Sequence, residues 1–102
     1  MFEPDEERFA TVGLADQLPG AVIDSIWEII DQDLKGVVHL PQVLQFALLA
    51  RNGQVTVIFE ARHVAIMEFD LPIAFQHGFP ETVAVLDDGR TQTMMLMDEL
   101  AD

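Results

Sequence analysis

The sequence predicts an α+β domain: a five- to six-stranded, mostly antiparallel sheet with one amphipathic helix packed on one face. Three observations predict it. Apolar residues from Ile23 to Leu34 recur at the 3.6-residue period of a helix. Alternating apolar segments flank Asn52-Gly53 and again Asp88-Gly89, two pairs suited to tight hairpin turns. A chain of 102 residues, half of them apolar, supports one core and two layers.

The elements follow in order. Residues 1–7 are acidic and read as a flexible arm, leaving 8–102 as a single domain. Arg8 to Leu14 alternates as a short strand does. Asp16-Gln17-Leu18-Pro19 opens a helix, with Pro19 in the first turn, where its missing N–H costs nothing. Ile23, Ile26, Trp27, Ile30 and Leu34 form one stripe, Asp24, Glu28 and Asp31 face away, and Gly36 is the expected residue just past the end.

The first hairpin pairs Val43–Arg51 with Gln54–Ala61 about Asn52-Gly53. Folding there sets Phe46 opposite Phe59, Leu48 opposite Val57 and Ala50 opposite Val55, so turn chemistry and alternation agree on the register. The alternation continues through Ala65, Met67, Phe69 and Leu71. One straight strand from Gln54 to Leu71 would be about 60 Å long, while a compact chain of this length is only about 33 Å across. The chain must therefore bend or reverse near Arg62-His63. Pro72 ends the strand and Phe75–Pro80 reads as loop. A second hairpin pairs Glu81–Asp87 with Arg90–Met97 about Asp88-Gly89.

A single helix, about 10–12 Å wide, covers two or three strands spaced about 4.8 Å apart. The remaining sheet needs other cover. The nominally outward face of the first hairpin carries Ala47, Leu49 and Ile58, which form a candidate self-association surface for a homodimer.

Composition excludes several functions. Without cysteine there is no disulfide, thiolate zinc site or cysteine nucleophile. A net charge of −13 and a pI near 4.2 argue against direct nucleic-acid binding and allow a basic protein partner. Residues 1–33 carry nine acidic groups and one basic, so the charge is densest at the front of the chain. No apolar run reaches the 18 or more residues of a membrane span, and the acidic start is unlike a secretory signal, so a cytoplasmic location is expected.

Catalytic signals are few. Ser25 lacks a Gly-x-Ser-x-Gly setting, and the glycines form no phosphate loop. His39, His63 and His77 lack metal-ligand spacing, so no metal or other cofactor is expected. The densest polar cluster is Glu60, Arg62 and His63 at the expected bend. It could hold a small anionic metabolite, with Arg62 as the anion contact and His63 as a proton carrier.

Arg8-Phe9-Ala10-Thr11 with Gly13, Leu18-Pro19, Trp27, Ile30-Asp31, Gln42-Val43, Val85-Leu86-Asp87-Asp88-Gly89 and Thr93-Met94-Met95-Leu96 resemble, in this order, a staphylococcal-type family of short Gram-positive bacterial proteins of unknown function. The resemblance implies a free-standing cytoplasmic domain and no particular mechanism. The reading from sequence is a small, acidic, non-enzymatic interaction or regulatory module that self-associates. Its rival is the small-molecule binder or minor enzyme built on Glu60, Arg62 and His63.

Overall fold

The fold is that of a computed structural model, which describes residues 2–61 and 64–100. Six strands form one sheet in the order β1-β6-β5-β2-β3-β4: β1 (Glu7–Ala10), β2 (Val43–Arg51), β3 (Gln54–Ala61), β4 (Val64–Ala74), β5 (Thr82–Asp87) and β6 (Thr91–Leu96). Four of the pairings are antiparallel, but β1 runs parallel to β6. The sheet is therefore mixed. The correction comes from a long return of the chain, since Glu7 pairs with Thr91 and no short turn joins them.

The strand expected over Arg8–Leu14 stops at Ala10 and gives way to a short helix, α1 (Val12–Ala15). Thr11 causes the change. Its hydroxyl accepts the Leu14 N–H at 3.2 Å, which caps a helical turn, and donates to Glu99 at 2.7 Å. Gly13 leaves room for that contact, since a Cβ there would stand 3.0 Å from the Glu99 carboxylate and the Glu99 side chain would have to shift.

The main helix, α2 (Gly20–Ile29), starts after Pro19, which occupies the N-cap position. The expected stripe continues to Leu34, but Ile30–Leu34 winds as a wider π segment. Its closing bond runs from the Lys35 N–H to the Ile30 carbonyl at 3.1 Å. Gly36 then takes φ +81°, as a residue past a helix end commonly does.

Period-two alternation places Leu44, Phe46, Leu48, Val55, Val57, Phe59, Val83, Val85 and Met94 on one side of the sheet. They form a single buried cluster with Val22, Ile23, Ile26, Ile29, Ile30 and Leu34. Ala50 and Ala61, which share this parity, lie exposed at strand ends. The first hairpin has the anticipated register at all three named pairs, and Asn52 (φ 55°) and Gly53 (φ 79°) both take positive φ.

The second hairpin is shifted. Val85 pairs with Met94 and Asp87 with Gln92, so Gly89 and Arg90, not Asp88 and Gly89, sit at the centre of the turn. The Asp88 carboxylate explains this. It accepts the N–H groups of Arg90 and Thr91, both at 2.9 Å, and only Gly89 adopts positive φ (93°).

The chain reverses between Ala61 and Val64, which pair with each other. Pro72 does not end its strand; β4 continues to Ala74. The strand is at the sheet edge, where a missing N–H is tolerated, and it bulges there: Leu71, Pro72 and Ile73 lie opposite Val55 alone.

The acidic first segment contributes to the core. Phe2 is fully buried and its N–H donates to Asp87 Oδ2 at 2.6 Å. Gln92, also fully buried, donates to the Glu3 carbonyl at 2.8 Å and to Glu6 at 3.2 Å, and accepts from Arg8 Nε at 2.9 Å. Arg8 forms a bidentate pair with Asp31, at 2.6 and 2.8 Å, and stands 4.8 Å from the Trp27 ring. A continuous polar clasp thus joins the start of the chain to β5, β6 and the π segment.

Candidate functional site

The site is built on the face of the sheet turned away from the core cluster. Alternation places Val43, Gln45, Ala47 and Leu49 of β2 there, with Thr56, Ile58 and Glu60 of β3 beside them. Gln45 pairs with Glu60, Ala47 with Ile58 and Leu49 with Thr56. On the other flank Val43 pairs with Leu86 and Gln45 with Ala84, and Ala84 in turn pairs with Met95. None of these side chains belongs to the core cluster. Ala47, Leu49 and Ile58 are half-buried, so the three residues singled out from sequence form one neutral strip.

The strip is bordered by charge at one side. Thr56 donates to Asp70 at 2.7 Å, and Arg51 pairs with Glu68 at 2.8 Å and approaches Asp70 at 3.6 Å. The hydrogen bond and charge of Glu68 hold the Arg51 guanidinium above its ordinary pKa.

At one end the strip runs into a pocket of about 490 Å³. Its apolar wall comes from Val38 and Pro41 in the connection after the helix, Val43 of β2, Phe59 of β3 and Ile66 of β4. His39, Gln45 and Glu60 supply the polar groups. A bulge positions Ile66. Phe59 pairs with Met67 and Glu60 with Ala65, so Ile66 is the additional residue and remains 44% exposed. A second hollow, of about 590 Å³, lies on the other side of the same connection, lined by Glu3, Lys35 and Gln42 among others. Val38, His39 and Pro41 line both. Lys35 is engaged there, donating to Glu3 at 3.0 Å.

Of the polar cluster read from sequence, Glu60 lies in the pocket, while Arg62 and His63 fall outside the described residues. His39 is exposed at the pocket and His77 is exposed in the loop after β4. No group of three or more potential metal ligands occurs among the described residues. The Ser25 hydroxyl donates to the Ala21 carbonyl at 2.8 Å. Among the described residues no helix is long and apolar enough to cross a membrane.

Sequence reasoning missed the pocket wall. Besides Glu60, Gln45 gave a signal, as the polar break in the apolar run from Val43 to Ala50. Val38, Pro41 and Ile66 converge through an irregular connection and a bulge, neither of which has a sequence period.

Known proteins bear on the fold more than on the chemistry. A family described as "Staphylococcal protein of unknown function (DUF960)" matches residues 7–99. A crystal structure of a protein of unknown function from Enterococcus faecalis is similar to the chain, with a TM-score of 0.93 and 40% identity. The match covers 99% of this chain and 96% of that one. No curated protein matches.

Proposed function

The chain belongs to this staphylococcal-type family of unknown function, and from that premise we propose that it is a small acidic interaction module of the cytoplasm that pairs with a second copy of itself. The observation that carries this reading is the neutral strip of Ala47, Leu49 and Ile58, half-buried on a chain whose net charge is −13. With α2 taken to lie against the core face, Ala47, Leu49 and Ile58 keep part of their surface on the opposite face.

Charge favours a second copy as the occupant. Two chains of −13 repel, and the strip is where they meet with least like charge, because its centre carries no ionised group. A basic partner would instead sit on the carboxylates of the arm and helix, including Asp24 and Glu28.

Sedimentation velocity across micromolar concentrations and rising NaCl tests the proposal. The expected result is a dimer that strengthens with salt, as screening removes the repulsion. A monomer throughout rejects it. A complex with a basic protein that weakens with salt, without dimerisation, would favour the other partner.

A further inference from the structure

We propose that the pocket between the post-helix connection and β2, β3 and β4 binds a small amphipathic cation, an amine carrying an apolar body. This goes beyond the pairing of two copies, and does not depend on it.

The inference starts from carboxylates. Among the described residues four are withdrawn from solvent: Glu6, Asp31, Glu60 and Asp87. Three have partners. Glu6 accepts from Gln92, Asp31 from Arg8, and Asp87 from the N–H groups of Phe2 and Gly89. Glu60 has no hydrogen bond or ion pair among the described residues. The other unpartnered carboxylates, such as Asp24, Asp33 and Glu81, are exposed and hydrated. A partly desolvated carboxylate gains most from a ligand that supplies positive charge and N–H donors together.

The surroundings of Glu60 define the rest of the ligand. The volume of about 490 Å³ suits a small molecule. Val38, Pro41, Val43 and Ile66 give an apolar wall for a ring or short alkyl body. Gln45, paired with Glu60 across the two strands, adds a side-chain carbonyl that can accept from the same ammonium group. An anion would meet the like charge of Glu60. The field of a −13 chain further concentrates cations and depletes anions near the surface.

The test is an amide-resolved NMR titration of the full chain with phenethylamine up to about 10 mM, against phenethyl alcohol and phenylacetate as neutral and anionic counterparts. The amine is expected to give saturable shifts at Gln45, Glu60 and Ile66, with the alcohol and the acid at least about tenfold weaker. Glu60→Gln is expected to remove that preference for the amine. The comparison of the three probes on the unaltered chain stands even if the variant folds poorly. An amine response absent, non-saturable or matched by the alcohol overturns the proposal, as does stronger binding of phenylacetate or a folded Glu60→Gln chain that still prefers the amine.

Discussion

Leu48 and Leu49 are neighbours of identical chemistry. Leu48 is 5% exposed within the core cluster, while Leu49 stands half-buried on the other face. The same contrast separates Phe46 and Val57 from Ala47 and Ile58, one residue away in each strand. Alternation decides which way a side chain points, and only cover from another layer decides whether it is dry. One face carries the residues of the buried cluster; on the other, Ala47, Leu49 and Ile58 keep part of their surface exposed. Folding is therefore expected to depend more on the first face than on Ala47, Leu49 and Ile58.

That comparison can be broken most severely at Phe46. It is fully buried and its ring lies 5.6 Å from Phe59. Phe46→Ala should cost about 3–5 kcal/mol by chemical denaturation. A loss no larger than that of an open-face variant would mean that the two faces are energetically alike.

The clasp comes next. Asp87 accepts the Phe2 N–H on one oxygen and the Gly89 N–H on the other, at 2.6 and 2.8 Å. Burial raises its pKa, but these two N–H groups, together with a hydrogen bond to the Glu6 side chain and a nearby positive charge, outweigh burial and hold the carboxyl below the ordinary aspartate value. Asparagine offers one acceptor for two donors, so Asp87→Asn should cost about 1.5–3 kcal/mol. The sign with pH follows from the lowered pKa. The stabilisation is full above the unfolded-state value, near pH 4, and is lost as pH falls through the lower folded value. Urea midpoints between pH 6 and pH 2 should fall less steeply for the variant; parallel curves would mean that Asp87 is not the group involved.

The smallest effect is expected on the open face. Ile58→Thr should change monomer stability by under about 1 kcal/mol. In the same sample it should shift the sedimentation boundary toward monomer. A large loss of folding stability would show that Ile58 serves the core after all.

The first hairpin was legible because Asn52-Gly53 accepts positive φ at both residues and the flanking alternation gives the same register. The second was legible in its strands but not its turn, since the Asp88 carboxylate competes for the backbone and moves the bend by one residue. The parallel pairing of β1 with β6 left no local trace; it depends on partners distant in sequence. The clasp was hidden for a related reason. Gln92 and Asp87 occupy core-facing positions, two residues from Met94 and Val85, where a polar side chain signals a distant partner without naming it. Of the candidate site, Ala47, Leu49 and Ile58 followed from parity and Glu60 from the density of polar residues near the expected bend, whereas Ile66 depends on a bulge that shifts the count.

The parallel placement of β1 also affects how the molecule is made. A ribosome releases the residues of β1 first, yet their neighbour β6 is among the later segments to emerge. The β2–β3 ribbon, closed by a two-residue turn, can form during synthesis, whereas the front segment has no strand to join until translation has passed Leu96. Nascent chains stalled before β6 would therefore leave Glu7–Ala10 without a strand to pair with, and a protease should cleave that segment readily.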